Sequence, residues 1–95
     1  MDFVWDEKKN EANKRKHSLS FEDARNVFAD PLAIVRVDTS SEEFRWQIMG
    51  HWGETLLILV VYTLRGDDGS EAIRIISARK ATNAERRRYE KGQWV

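Results

Sequence analysis

Residues 72–90 read AIRIISARKATNAERRRYE, a stretch that passes from a strand pattern to a helix pattern within a few residues. Its first part carries the β-branched residues Ile73 and Ile75 at a spacing of two, which is typical of a strand. Thr82 then stands three residues before Glu85, the spacing of a capping box at the beginning of a helix. The stretch therefore predicts a strand that leads directly into a helix near the end of the chain.

Cationic side chains cluster where this strand meets this helix: Arg74, Arg79, Lys80, Arg86, Arg87 and Arg88. A helix N-terminus adds unpaired backbone N–H groups and the positive end of the helix dipole. A phosphate group would therefore bind well at this junction, which is the strongest functional indication in the sequence. The alternative is an ordinary charged surface, in which the arginines only pair with Glu42, Glu43 and Glu54.

Composition limits the class of protein. A chain of 95 residues is one small domain, spanning 1–95, and a hydrophobic fraction of 41% is enough for one modest core. There is no cysteine, the two histidines stand far apart, and no metal site or cofactor is expected. A formal net charge of zero argues against a general nucleic-acid coat protein.

The sequence also predicts a location. The N-terminal MDFVWDEKKN lacks the apolar core of a signal peptide. The longest apolar run, 56–64, is too short to span a membrane as a helix. We therefore expect a cytoplasmic protein that does not associate with membranes.

The other predicted elements are a short strand or anchoring segment at 2–5, a polar helix at 7–16, a helix that begins at Ser20, and strands at 33–37, 44–49 and 56–64. Turns are predicted at 50–53 and 66–69. The run 56–64 is apolar on both faces, so we expect it at the centre of the sheet. The fold class is therefore α+β, with N-terminal helices and a C-terminal helix packed on a four-stranded antiparallel sheet.

The helix predicted at 7–16 is unusual because Ala12 is its only apolar residue. Burial of an apolar stripe therefore cannot hold it on the domain. It either lies flat through Trp5 and the aliphatic stems of its lysines, or it faces a ligand. Its cations, Lys8 among them, form a second candidate basic surface, although a solvated helix face is the simpler interpretation.

The sequence resembles the BrnT family of type II toxin–antitoxin systems over nearly its whole length. The resemblance is carried by FVWDEKKNEANKRKHSLSFEDARNVFADP at 3–31, EEFRWQIMG at 42–50 and, most specifically, IRIISARKATNAERRRYE at 73–90. Ser18 departs from the family pattern, which usually has glycine at that position.

Several expectations come from this resemblance alone. It implies a RelE-like fold and a ribonuclease activity that stops translation. It also implies neutralisation by a BrnA-type ribbon-helix-helix antitoxin, in a heterotetramer built through the antitoxin dimer. The complex would bind and repress its own operator, so DNA would be contacted only through the antitoxin complex.

Metal-independent cleavage of RNA requires a base for the 2′-hydroxyl, cations for the phosphorane and an acid for the leaving 5′-oxygen. Arg74 and Arg79 are the first candidates for the cations, and Arg45 on the neighbouring strand is the third. Arg74 and Arg79 are five residues apart, so in a regular strand they would face opposite ways. Either a bulge near 77–78 turns Arg79 toward Arg74, or the strand has already ended there.

Candidates for proton transfer are His17, Glu85 and Tyr89, each with a structural alternative. His17 has a suitable intrinsic pKa but stands at a helix end, where it can stabilise the dipole. Glu85 is explained by the capping box, and Tyr89 is either a proton donor or the core contact of its helix. We expect Lys8, Lys80 and Arg86 to bind the RNA backbone.

Two functions therefore compete on the sequence. The first is an RNA-cleaving toxin, and the alternative is a non-catalytic module that binds a protein or nucleic acid through its basic strand–helix junction. Trp46, Trp52 and Trp94 are more large aromatic residues than so small a core comfortably encloses. We expect at least one of them in the antitoxin interface.

Overall fold

The computed structural model describes residues 2–65 and 71–95. Its strands are β1 (Phe3–Val4), β2 (Ile34–Asp38), β3 (Arg45–Trp52), β4 (Leu56–Leu64) and β5 (Ile73–Lys80). Its helices are α1 (Glu7–His17), α2 (Phe21–Ala24), which continues into a 3₁₀ helix (Arg25–Ala29), and α3 (Asn83–Glu90). The turn predicted at 66–69 lies outside the described residues.

The sheet has five strands in the order β1-β5-β4-β3-β2. The α+β class is confirmed, but the prediction of a four-stranded antiparallel sheet is wrong. β1 adds a fifth strand, which runs parallel to β5 with Phe3 opposite Ile73. A two-residue strand has no alternation to read, and its partner lies at the other end of the chain. The sequence pattern therefore could not distinguish a strand at 2–5 from an anchoring segment.

β4 lies in the middle of the sheet and separates two apolar clusters. Its residues Ile58, Val60 and Tyr62 pack with Phe21 and Val27 of the N-terminal helical layer. The alternate residues Leu57 and Leu59 pack with Met49 and the fully buried Trp94, next to Tyr89 of α3. The layer of α2 and the 3₁₀ helix therefore lies on the face of the sheet opposite α3, because successive strand residues point to opposite faces.

Two buried asparagines attach the polar helix α1. Asn13 donates from Nδ2 to the carbonyls of Leu19 and Ala78 at 2.9 and 2.8 Å, and its Oδ1 accepts the N–H of Ala78 at 3.2 Å. Asn10 accepts the N–H of Phe21 at 2.8 Å and donates to Glu22 at 2.8 Å. Hydrogen bonds therefore hold α1 where an amphipathic helix would use an apolar stripe.

The segment predicted as a turn at 50–53 belongs mainly to β3, and that prediction is wrong. β3 continues through Trp52, so His51 is a half-buried strand residue, and the turn begins at Gly53 in the left-handed region (φ 75°). Gly50 is required for close packing, because a Cβ there would lie 2.6 Å from Cγ2 of Val27. Glycine at 50 therefore marks a close approach between strand and helical layer.

None of the helices among the described residues is long and apolar enough to cross a membrane.

Candidate active site

A β-bulge in β5 determines which way its arginines face. Arg74 pairs with Thr63 of β4 and Arg79 pairs with Leu59, but the register shifts between Val61 and Tyr62, and one extra residue, Ile76, is accommodated in β5. Thr63 and Leu59 are four apart in a strand and share a face, and so do their directly paired partners. The bulge lies close to the predicted position, and Arg74 and Arg79 therefore lie on one face.

Two further arginines lie on that face. Gln47 of β3 pairs with Val61 on one side and with Arg36 of β2 on the other. Arg45 is two residues before Gln47 and shares its face. We call this surface the arginine face, defined by Arg36, Arg45, Arg74 and Arg79. It is the α3 side of the sheet, since Leu59 packs with Trp94 there.

Arg79 is held at the beginning of α3. Its Nη1 and Nη2 donate to Oε1 and Oε2 of Glu85 at 2.7 and 3.0 Å, and the Arg79 side chain is 37% exposed. Glu85 also completes the capping box with Thr82. The hydrogen-bonded guanidinium of Arg79 is the main cause that lowers the pKa of Glu85 to about 2, and hydrogen bonds from Thr82 contribute less. The Arg79–Glu85 pair also raises the pKa of Arg79. Glu85 is therefore an ionised carboxylate that orients Arg79.

Arg45 and Arg74 lie toward the other end of the arginine face, on either side of Thr63. Nη2 of Arg45 donates to Glu43 at 3.2 Å, as the alternation of the strand allows. Nε of Arg45 is buried and has no hydrogen-bond partner among residues 2–65 and 71–95. An unpaired buried donor costs free energy, so a shift of the Arg45 side chain that brings Nε to a phosphate oxygen would be favourable. Arg74 is half-buried between β1 and β4.

The other proton-transfer candidates lie in different places. The Tyr89 hydroxyl donates to the carbonyl of Leu32 at 2.7 Å, and the Tyr89 ring contacts the ring of His51. Burial, and to a smaller extent the negative charge of Asp30, raise the pKa of Tyr89. His17 is the last residue of α1, the helix whose Asn13 is bonded to the backbone of Ala78 at the outer edge of β5. The structure therefore places Tyr89 on the side of the arginine face, and His17 at the end of a helix that lies along the edge of the sheet.

The predicted RNA-backbone ligands are also scattered. Lys8 is exposed in the first turn of α1, and Lys80 is exposed at the end of β5, where alternation points it away from Arg79. Arg86 donates from Nη2 to the carbonyl of Thr55 at 3.1 Å, which ties α3 to the turn between β3 and β4.

The sequence reasoning missed Arg36. Arg36 stacks over the ring of Trp94 at 4.0 Å and donates from Nε to Gln47 at 2.8 Å. Burial, and then the nearby Arg88, lower the pKa of Arg36, which shows that a second guanidinium from α3 lies near it. The available signal was a single cation between Val35 and Val37 in an otherwise apolar strand, where a charged residue must face a solvated or paired surface.

Among the described residues, no group of three or more His, Asp and Glu side chains is placed to hold a metal ion.

Comparison with known proteins identifies the class of protein first. A family model described as "Ribonuclease toxin, BrnT, of type II toxin-antitoxin system" matches residues 5–85. The chain belongs to this family, and membership implies an antitoxin partner. The structure is similar to the crystal structure of the Brucella abortus ribonuclease toxin BrnT, with 30% sequence identity and a TM-score of 0.66. The match covers 87% of this chain and 99% of that one. No curated protein sequence matches the chain.

Proposed function

We propose that the chain is a metal-independent endoribonuclease that cleaves RNA, inhibits translation and is neutralised by a BrnA-type ribbon-helix-helix antitoxin. The bulge in β5 is the observation that carries the proposal, because it leaves Arg74 and Arg79 on the same face as Arg45. Family membership as a ribonuclease toxin supports the reaction type. The antitoxin dimer would join two toxin–antitoxin pairs into a heterotetramer, which contacts operator DNA through the antitoxin.

The arginines would supply most of the catalysis. When the 2′-oxygen attacks the phosphorus, a further negative charge develops on the non-bridging oxygens before the bond to the 5′-oxygen breaks. Arg45 and Arg74 flank Thr63 and can approach a phosphate from two strands. Guanidinium groups on paired strands are held with little freedom, so little of their binding energy is lost in ordering them.

The proton transfers are assigned to the remaining candidates. A carboxyl group with a pKa of about 2 is a weak base at neutral pH, so we assign Glu85 the role of orienting Arg79. Tyr89 would act as a proton donor only after its hydroxyl leaves the carbonyl of Leu32. His17 would take part only if the RNA continues from the arginine face around the edge of the sheet. Lys8, Lys80 and Arg86 would contact the RNA backbone along such a path.

Induction of the chain in cells tests the proposal, with growth and total RNA followed in the presence and absence of a BrnA-type antitoxin. We expect growth arrest with loss of RNA, and rescue by the antitoxin. Arg74→Ala should abolish both effects, whereas Arg15→Ala, which removes an exposed arginine from α1, should leave them unchanged. Full growth arrest by a folded Arg74→Ala protein would contradict the catalytic role of Arg74.

Arg79→Ala is a separate test, because Arg79 also holds Glu85 at the beginning of α3. Its thermal stability must be measured beside its toxicity. Loss of growth arrest with a folded protein and intact antitoxin binding would support a role for Arg79 in cleavage.

The alternative of a non-catalytic binding module is favoured by one observation. The guanidinium of Arg79 is already occupied by Glu85, so part of the predicted phosphate site is internally paired. In that case the purified chain would bind single-stranded RNA without cleaving it, and cells expressing it would keep intact RNA. Cleavage in a purified system that is lost in Arg74→Ala would exclude the module.

A further inference from the structure

Two positive charges are held close together at the β2 side of the arginine face. Arg36 of β2 donates from Nη1 to the carbonyl of Val95 at 3.3 Å, and Arg88 in the last turn of α3 donates from Nη2 to the carbonyl of Gln93 at 3.4 Å. These carbonyls are only two residues apart, and Arg36 also stacks on the ring of Trp94 between them. Both guanidinium groups therefore lie against the same short segment, and we call them the arginine pair.

No acidic side chain is bound to the arginine pair. Among the described residues, neither Arg36 nor Arg88 forms an ion pair with an Asp or a Glu. Burial is the main cause that lowers the pKa of Arg36, and the charge of Arg88 is the second, ahead of the opposite effects of Glu85 and Asp38. Like charges held together in a half-buried place cost free energy, so an anion bound by both guanidinium groups would be stabilised.

The structure leaves room for such an anion beside Arg36. A cavity of about 170 Å³ is lined by Arg36, Thr39 and Gln47 together with Val37 and Val95. Nε of Arg36 is bonded to Gln47 and Nη1 to Val95, but Nη2 makes no hydrogen bond within the described part of the chain. The Thr39 hydroxyl is a further possible donor. The cavity can therefore offer an anion both a fixed guanidinium and a hydroxyl group.

The position of the arginine pair favours a phosphate of the RNA strand as this anion. Arg36 stands opposite Gln47, and Arg45 is two residues before Gln47 on the same face. One strand spacing and two residues separate the backbones of Arg36 and Arg45, which amounts to roughly 8 Å. Arg45 is proposed to bind the scissile phosphate, so the arginine pair is well placed for a phosphate of a nearby nucleotide in the same strand. Proteins bind single-stranded RNA through cationic grooves that follow its backbone in this way.

We propose that Arg36 and Arg88 form a second phosphate subsite, which binds the RNA backbone beside the scissile phosphate. This inference rests on the proposed function, in which RNA lies on the arginine face. The subsite does not reach the reacting atoms, so it should add affinity and alignment without stabilising the charge of the transition state. Arg88 also stands in the last turn of α3, where a cation stabilises the helix dipole. The salt dependence of RNA binding separates these two roles, because only a phosphate contact changes it.

Arg88→Ala tests the subsite, with Arg87→Ala as the matched control. Both changes remove one exposed arginine from the same helix. The probe is a labelled single-stranded RNA with 2′-O-methyl riboses, which lacks the attacking hydroxyl, and its binding is followed by fluorescence anisotropy at several salt concentrations. Loss of one phosphate contact should lower the slope of log K against log salt by about 0.7. We expect Kd to rise roughly three- to tenfold at low salt in Arg88→Ala and to stay within about twofold in Arg87→Ala. Equal slopes for both variants and the unchanged protein would overturn the proposal.

Two further variants test the other half of the pair and the role of charge. Arg36→Met keeps an aliphatic stem on the Trp94 ring, and its urea unfolding shows whether the variant is folded. A folded Arg36→Met protein should show the same reduced slope, and an unchanged slope would overturn the pair. Arg88→Lys, which keeps the charge, should retain the slope of the unchanged protein. If Arg88→Ala weakened binding of the BrnA-type antitoxin but not of RNA, the anion would belong to a protein and the proposal would be wrong.

Cleavage of the unmodified RNA by the purified chain keeps this inference separable from the proposed function. Arg88→Ala should raise KM and leave kcat within about twofold, whereas Arg74→Ala should lower kcat. A large fall of kcat in Arg88→Ala would overturn a subsite that lies away from the reacting atoms. If the unchanged chain cleaves no RNA, the proposed ribonuclease function fails, and the slopes measured with the methylated RNA still decide whether the subsite exists. If it cleaves RNA but the slopes are equal, only the subsite fails.

Discussion

Replacing Glu85 by Gln should destabilise the protein in a pH-dependent manner. Gln keeps an oxygen that can accept the N–H of Thr82, but it removes the negative charge that binds Arg79 through two hydrogen bonds. The variant should therefore retain α3 and lose the ion pair. The helix stays capped by the Thr82 hydroxyl, which accepts the N–H of residue 85 at 3.1 Å.

The magnitude follows from the pKa of Glu85, which is lowered from 4.5 to about 2. That difference corresponds to roughly 3 kcal/mol, at about 1.4 kcal/mol for each pH unit. The Arg79 side chain is 37% exposed, and solvent screening weakens such a pair. We therefore expect the free energy of unfolding at pH 7 to fall by about 1–2 kcal/mol, and Tm to fall by roughly 5–10 °C.

The pH dependence has a definite sign. Because folding lowers the pKa of Glu85, the ion pair contributes its full stability above the unfolded value near 4.5. That contribution is lost as pH falls toward about 2. Urea unfolding of the two proteins between pH 3 and pH 8 should therefore give curves that are separated at pH 7 and converge in acid. Glu90→Gln, an exposed change in the same helix, is the control and should follow the unchanged protein. Parallel curves for Glu85→Gln and the unchanged protein would refute this account of the ion pair.

Three further substitutions test the packing by urea unfolding. Gly50→Ala should cost about 1–3 kcal/mol, because its Cβ would lie 2.6 Å from Val27 Cγ2; an unchanged free energy would show that the helical layer moves freely. Asn13→Ala should cost about 2–4 kcal/mol, because it leaves buried backbone groups of β5 unpaired. Trp94→Ala should lower the free energy of unfolding by about 3–5 kcal/mol, because it empties a fully buried site and removes the ring on which Arg36 stacks. Val95→Ala, at an exposed site, is the control, and a loss in Trp94→Ala no larger than in the control would contradict the packing.

The sequence was sufficient for the elements whose pattern is local. The capping box of Thr82 and Glu85 is present, and the fully apolar run Leu56–Leu64 is the central strand of the sheet. Each of these signals depends on residues within one element, so propensity and periodicity describe them directly. The parallel pairing of β1 with β5 joins the two ends of the chain, and a two-residue strand gives no periodic signal for it.

The candidate site could be predicted only in part, because it depends on register across the sheet. Arg74, Arg79 and Arg45 follow from the charge pattern, but the sequence left open whether Arg74 and Arg79 face the same way. Arg36 joins them only through its pairing with Gln47, which is a contact between neighbouring strands. Glu85, which the sequence assigned to the helix cap, also forms the ion pair with Arg79, so one side chain both caps α3 and orients that arginine.

The polar helix and the bulge are connected through β5. Before the bulge, the outer edge of β5 pairs with β1 at Ile73 and Arg74. After it, the side chain of Asn13 takes the place of a strand by bonding both backbone groups of Ala78. The two halves of β5 thus have different partners, and the extra residue Ile76 lies between them. A helix that looked too polar to pack is therefore one of the elements that hold the second half of β5, and with it Arg79, in the register of the arginine face.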